Sequence, residues 1–161
     1  MEPRKKAKET DAIKEKLERY KAMPRRIDNL IERLEALNSS MGSPSTPNLT
    51  GLPSGGGDGT TKIEREVLRK LELEEKIRKL VKDERDLRHE LETLIERMAS
   101  PDEQTVIEMR YLDGARWWPI CEALYSTEDD YEEKADKYLK RTFKLHGSAL
   151  QSLTRIYKSR Q

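Results

Sequence analysis

The 161-residue chain contains a single cysteine, Cys121, and only two histidines, His89 and His146. One cysteine excludes an internal disulfide framework and is typical of a reducing compartment, where a lone thiol is usually a small buried hydrophobe. The two histidines fall on separate predicted helices, and no Gly-rich phosphate loop is present. The sequence therefore predicts no metal site, no cofactor and no enzymatic activity.

Apolar material is also scarce, with 34% hydrophobic and 6% aromatic residues against 39% charged residues. Such a composition does not support one large globular core, and charges mixed with Leu and Ile favour long exposed helices. No apolar run approaches the roughly 20 residues that cross a bilayer, and no hydrophobic signal segment follows the basic residues between Arg4 and Lys8. We expect a cytoplasmic protein without membrane contact.

Helical periodicity flanks a segment rich in Gly, Ser and Pro. Residues 1–38 are predicted to form an amphipathic helix with a basic start. Pro24 either kinks this helix or restarts it as the first residue of a second segment, and the restart is favoured. Residues 39–61 are predicted to be a flexible linker. With a reach of roughly 25 Å, that linker lets the flanking helices fold back as an antiparallel pair. Residues 62–99 are predicted to form a leucine-rich long helix.

The long helix carries an apolar stripe on a 4-3-4-3 repeat, interrupted by Glu84. Its members are Leu73, Ile77, Leu80, Leu87, Leu91, Leu94 and Met98. An exposed leucine row would form a large apolar patch, so the stripe is expected to pack against the first helix or against a second subunit. A homo-oligomer through residues 63–98 is thus one alternative. Glu84 is expected to pair with an Arg or Lys of the first helix.

Residues 100–161 have the pattern of a small helical domain. Ser100 is predicted to cap a helix, with Glu103 completing a capping box. Asp113-Gly114 predicts a turn, after which Trp117 opens a short helix. Two short helices joined by such a turn and followed by a basic helix outline a helix-turn-helix. The predicted fold is all-α: a long helical hairpin or coiled-coil segment followed by a small C-terminal helix-turn-helix domain.

The sign of charge changes abruptly near the last helix. Residues 128–136 hold six acidic residues and one lysine, whereas residues 137–161 hold seven basic residues and no acidic one. In a chain of net charge +1, this separation favours an anionic partner, and double-stranded DNA fits a basic helix face. The alternative is that these basic residues form an ordinary solvent-exposed face and complement the helix dipole.

The predicted DNA-binding residues lie along the final helix, away from its apolar face. They are Lys137, Tyr138, Lys140, Arg141, Lys144, Ser148, Arg155 and Lys158. Arg141 and Lys144 are interpreted as readers of guanine edges, and four lysine and arginine residues as phosphate contacts. Those four are Lys137, Lys140, Arg155 and Lys158.

The other face of this helix is predicted to pack on a small core anchored by Trp117. Its members are Leu139, Phe143, His146, Leu150, Leu153 and Tyr157. His146 is interpreted as a hydrogen-bonded core residue. Gly147, which is costly inside a helix, is expected to mark the close approach of another backbone.

The stretch EQTVIEMRYLDGARWWPICEAL, followed after a spacer by YLKRTFKLHGSALQSL, resembles the C-terminal domain of small phage and prophage proteins of Gram-positive bacteria. These proteins are related to the ArpU and RinA-like late transcription regulators, and their helix-turn-helix looks like region four of bacterial sigma factors. The match rests on Val106, Arg110, Tyr111, Gly114, Trp117, Ile120, Leu124, Leu145, His146, Gly147, Ala149 and Leu150. The resemblance implies DNA-binding control of phage genes in a bacterial cytoplasm, and it leaves contact with RNA polymerase open.

Two features depart from that family pattern. Arg116 stands where a Ser or Thr helix cap is expected. Residues 126–137 lengthen the turn before the final helix, either as an added helical turn or as an acidic loop. The alternative function is a helical structural or packaging protein. It is either a small terminase-like subunit, which also combines a helix-turn-helix with oligomerising helices, or a coiled-coil scaffold in which the long helix oligomerises and the basic tail is incidental.

Overall fold

The computed structural model describes the backbone of residues 3–41 and 61–160, and side chains from residue 9 onward. Five α-helices account for most of these residues: α1 (Pro3–Met41), α2 (Lys62–Glu96), α3 (Pro101–Ile107), α4 (Trp117–Tyr125) and α5 (Ala135–Ser159). The described residues contain no strand, which confirms the all-α prediction. None of the helices in these ranges combines the length and the hydropathy that a bilayer crossing requires.

Helix α1 contains Pro24 in its interior. The prediction that the helix restarts there was wrong, because the fixed φ of proline is itself helical and the loss of one hydrogen bond does not end a long helix. The helix also extends through Met41, so residues 39–41 of the predicted linker are helical. The linker residues 42–60 lie outside the described part of the chain.

The chain divides into two compact units. The first unit combines residues 1–23 with residues 84–161, and the second unit spans residues 24–83. The core of the first unit draws on α1, α2, α3, α4 and α5. Its buried residues are Ile13, Leu17, Tyr20, Leu87, Leu91, Leu94, Ile95, Met98, Val106, Ile107, Tyr111, Ile120, Ala149, Leu150 and Leu153.

Within the first unit, the C-terminal part of the leucine stripe is buried in the same core as α1. Leu87, Leu91 and Leu94 share this core with Ile13 and Leu17. The prediction of packing against the first helix is therefore confirmed for this part of α2. Polar pairs between residues 16 and 90 and between residues 20 and 84 show that the two segments run antiparallel.

Glu84 has a partner different from the one expected. The Tyr20 hydroxyl donates to Glu84 Oε1 at 2.8 Å, and Arg88 Nη1 donates to the Tyr20 oxygen at 3.1 Å. Burial of the phenol, followed by its bond to Glu84, raises the pKa of Tyr20. The expected Arg or Lys of α1 is thus replaced by a tyrosine, whose hydroxyl donates to the carboxylate and accepts from Arg88 of α2.

The second unit holds the facing parts of α1 and α2. Leu30 is fully buried there, whereas Leu73, Ile77 and Leu80 of the stripe are only half-buried. Helix α2 begins with a capping box: Thr61 Oγ1 accepts from the Glu64 amide at 3.2 Å, and the Thr61 amide donates to Glu64 Oε2 at 3.3 Å. This reciprocal pair fixes the start of α2 at Lys62.

The start of α3 follows the sequence prediction in part. Ser100 Oγ accepts from the Glu103 amide at 3.3 Å, and Pro101 occupies the first helical position. The Glu103 carboxylate does not complete the box with Ser100. Its Oε1 accepts from Ser148 Oγ at 2.7 Å and so ties α3 to α5.

Candidate nucleic-acid interface

A π-helical turn, Glu108–Leu112, continues α3 and redirects the chain toward α4. The Asp113 amide donates to the Glu108 carbonyl at 2.9 Å, and the Ala115 amide donates to the Met109 carbonyl at 2.8 Å. Gly114 then adopts a φ of 68°, which favours glycine. Arg116 precedes α4 without a side-chain cap, as its sequence position suggested.

An aromatic cluster holds α5 against the π-turn and α4. The Tyr111 hydroxyl lies 2.7 Å from His146 Nε2. The Trp117 ring makes T-shaped contacts with His146 and Phe143, with centroid separations of 4.9 and 5.1 Å. The Arg110 guanidinium lies 4.4 Å from the Trp117 ring centroid. These contacts confirm that His146 is a hydrogen-bonded core residue and that Trp117 packs against the core.

Both partners of the Tyr111–His146 bond are neutral near pH 7. Burial, reinforced by the nearby positive charges of Lys14 and Arg110, lowers the pKa of His146 to about 4. Burial, followed by the nearby charge of Glu18, raises the pKa of Tyr111 to about 12. A hydrogen bond between uncharged groups therefore joins α5 to the π-turn.

Acid is expected to destabilise the first unit through His146. The folded pKa of about 4 lies below the ordinary value of 6.5, so stability present above pH 6.5 is lost as the pH falls toward 4. The full shift corresponds to about 3 kcal/mol, and the partial exposure of the ring reduces this to about 1–2 kcal/mol. Urea unfolding of the wild type and His146→Gln between pH 7 and pH 4 measures the effect. The difference in free energy of unfolding between the two proteins should be smaller at pH 4 than at pH 7 by that amount. A difference that stays constant with pH would contradict this assignment.

The exposed side of α5 carries most of the predicted DNA-binding residues. Seven exposed side chains share one face of the helix there: Lys137, Lys140, Arg141, Lys144, Ser148, Arg155 and Lys158. A stripe from residue 137 to residue 158 is about 30 Å long at the helical rise. We call these seven residues the basic stripe. No acidic residue of α5 follows Asp136.

Tyr138 is the predicted contact that the structure places elsewhere. Its side chain is only 4% exposed, and its hydroxyl donates to Asp130 Oδ1. The Tyr138 ring lies 5.3 Å from Tyr125 and 5.9 Å from Tyr131, measured between centroids. This bond to Asp130 is the main reason that the pKa of Tyr138 rises to about 12. Tyr138 fastens α5 to the preceding turn and is not available to a groove.

The packed face of α5 is rotated relative to the predicted one. Leu150 and Leu153 are buried as expected, whereas Phe143 is 44% exposed. Thr142 and Thr154 take buried positions because their hydroxyls donate to carbonyls one turn earlier, at 2.9 and 2.7 Å. The expectation for Gly147 was wrong: a Cβ built there would meet nothing within 4 Å.

The acidic segment before α5 is a series of turns over residues 126–134, so the loop alternative holds for most of it. The Tyr131 amide donates to the Glu128 carbonyl at 3.1 Å, and the Lys134 amide donates to the Asp130 carbonyl at 2.9 Å. Its bonds to Tyr138 and Lys134 lower the pKa of Asp130. The segment therefore places a fixed negative group beside the first turn of α5.

Arg141 and Ser148 have neighbours that limit their orientations. The Arg141 guanidinium lies 5.3 Å from the Tyr138 centroid and 5.8 Å from the Tyr125 centroid, within the range of cation–π attraction. Ser148 is engaged by Glu103. Arg141 therefore presents a guanidinium that aromatic rings pre-orient, while Ser148 must exchange one partner for another to contact DNA.

Comparison with known families places the chain in one of them. A family model described as a protein of unknown function, DUF1492, matches residues 59–141 of the 161 residues, just over half of the chain. The chain belongs to the DUF1492 family. The DUF1492 match includes α2, α3, α4 and the first part of α5. No curated protein and no solved structure matched the chain.

The DUF1492 match divides the basic stripe. Lys137, Lys140 and Arg141 lie inside the matched range, whereas Lys144, Arg155 and Lys158 lie beyond it. The DUF1492 segment also contains the π-turn and the acidic turns that position the start of α5. Across residues 3–41 and 61–160, no three His, Cys, Asp or Glu side chains form a group able to hold a metal ion.

Proposed function

We propose that this protein is a phage-type DNA-binding regulator of transcription that lays α5 against duplex DNA. The observation that supports this most strongly is the basic stripe, which is exposed and about 30 Å long. A length of that order matches several successive phosphates, since duplex DNA carries one negative charge per ~1.7 Å of axis. The resemblance to sigma-factor region four supports the same assignment and makes RNA polymerase a second proposed partner.

The contacts divide by their position on α5. Arg141 and Lys144 are proposed to reach base edges, with Arg141 pre-oriented over Tyr138 and Tyr125. Lys137, Lys140, Arg155 and Lys158 are proposed to contact phosphates. The acidic turns near the start of α5 complement its dipole but repel phosphates, so they restrict the docking poses in which Lys137 and Lys140 reach the DNA backbone.

Affinity for duplex DNA is expected to fall steeply with salt. If four to six phosphates are neutralised, the logarithm of the binding constant drops against the logarithm of salt concentration with a slope of about −4 to −5. Mobility-shift titrations with restriction fragments of the source genome provide the measurement. A flat salt response would falsify the electrostatic mechanism.

The exposed apolar residues of the second unit favour the structural alternative. Ile63, Leu68 and Leu71 are 70%, 52% and 55% exposed, as expected for a helix that joins a further helix in a scaffold or packaging ring. Footprinting on DNA distinguishes the regulator from both forms of this alternative. A regulator protects a promoter-proximal site, a packaging subunit protects a packaging site, and a scaffold protects no DNA.

A further inference from the structure

Helices α1 and α5 of the first unit border a polar groove of about 290 Å³. Its lining residues are Glu9, Thr10, Gln151, Thr154, Arg155 and Lys158. Two of them, Arg155 and Lys158, belong to the basic stripe, so the groove opens on the face proposed to meet DNA. Gln151 adds an amide that can donate to an anion.

The course of α1 brings its first turns to this groove. Lys16 Nζ lies 5.0 Å from the Tyr157 ring centroid and pairs with Glu90, which also accepts from Arg160 Nη1 at 3.2 Å. About two turns closer to the start of α1, Glu9 borders the same groove as three residues of α5. These are Gln151, Arg155 and Lys158. At Glu9, α1 therefore borders the side of α5 that carries Arg155 and Lys158.

The sequence adds positive charge at that point. Four basic residues precede Glu9 in α1: Arg4, Lys5, Lys6 and Lys8. Their backbone positions are helical and fall within about 8 Å of Glu9 along the axis. The sequence therefore adds four positive charges to the turns of α1 that immediately precede Glu9, a residue of the groove wall.

We propose that the DNA surface is composite, and that the groove between α1 and α5 seats a backbone phosphate held by Arg155 and Lys158, with the basic start of α1 on the adjoining phosphates. This inference rests on the proposed function and extends it to a helix outside the DUF1492 match. Glu9 is the opposing group. Its carboxylate on the groove wall limits the affinity for phosphate and favours poses in which the phosphate lies beside Arg155 and Lys158.

Two matched pairs of variants test the composite surface. The first replaces the four basic residues from Arg4 to Lys8 with Gln; its control replaces four exposed cations of α2, Lys62, Arg65, Arg69 and Lys76, with Gln. Both variants change the net charge equally. The first should lower the magnitude of the salt slope by about 1–2 and weaken binding about 10-fold, and the control should leave the slope unchanged.

The second pair concerns the groove wall. Glu9→Gln should strengthen binding about 2- to 5-fold by removing a like charge near a phosphate, while Glu15→Gln, exposed on another side of α1, should not. Suppose that the wild type binds DNA with a steep salt slope and that each variant behaves as its control does. The proposal of a composite surface is then wrong, while the proposed DNA binding by α5 is unaffected. If the wild type shows no salt-dependent binding, both proposals are overturned. Circular dichroism confirms that each variant is folded.

Discussion

Leu91→Ala is expected to lower the free energy of unfolding of the first unit by about 2–5 kcal/mol. Leu91 is 0% exposed and lies in the core that joins α1 and α2 to the α3–α5 region. Truncation there removes buried apolar surface and leaves a cavity that rigid helices on several sides cannot fill. Urea unfolding followed by circular dichroism gives the difference directly.

The same helix supplies the control for this substitution. Leu68 and Leu71 are 52% and 55% exposed, so Leu68→Ala and Leu71→Ala are expected to change stability by at most about 0.5 kcal/mol. Equal losses at Leu91 and at these two positions would mean that α2 is not buried selectively along its C-terminal half. A loss at Leu71 that appears together with a change in sedimentation would instead identify this exposed region as a subunit contact.

Arg141→Ala and Lys144→Ala are each expected to weaken binding to the cognate site by about 1–3 kcal/mol. Each should also reduce the difference in affinity between cognate and non-specific DNA. Arg141 starts from an orientation fixed by two tyrosine rings, which reduces the entropy lost when it binds. Lys158→Ala should weaken binding to all sequences alike and reduce the magnitude of the salt slope by about 1.

Competition between cognate and scrambled duplexes distinguishes these roles. Lys158→Ala is the reference, because its residue lies in the α1–α5 groove and is proposed to contact phosphate alone. Equal losses on both duplexes for Arg141→Ala and Lys144→Ala would show that neither residue reads bases. The interface would then be purely electrostatic, and specificity would have to come from DNA shape.

Local signals in the sequence were sufficient for much of the fold. The Ser100 cap, the Asp113-Gly114 turn and the start of α2 depend on a few neighbouring residues, and each is present in the structure. Pro24 was misleading because the helix-breaking tendency of proline is a property of one residue. Whether a helix continues through that position also depends on the residues on both sides. Tyr20 as the partner of Glu84 could not be predicted, since it required the register between two helices separated by a linker.

The sequence was sufficient to predict the positive charge of the candidate site, but not which face of α5 packs against the core. The exposed positions of Lys140, Lys144 and Lys158 follow from polarity alone. The burial of Thr142 and the exposure of Phe143 do not follow from polarity. The Thr142 hydroxyl donates to a carbonyl of its own helix, so burying it costs little free energy, and threonine can take the place of a larger apolar residue. That rotation moved Tyr138 from the predicted binding face to the packed one. The π-turn that sets the entry of α4 also carried no recognised sequence signal.

The first unit is discontinuous in sequence, since residues 24–83 separate its two parts. Its ties are correspondingly distant: Lys16 and Glu90 are 74 positions apart, and Glu90 and Arg160 are 70 apart. During synthesis, the first part of α1 therefore leaves the ribosome long before any residue of its core partners. Contacts of such high sequence separation form slowly, and the apolar face of Ile13, Leu17 and Tyr20 stays uncovered at least until the C-terminal part of α2 is made. A truncated product that ends before Leu87 lacks every core partner of this face, so chaperones and proteases should recognise it as unfolded.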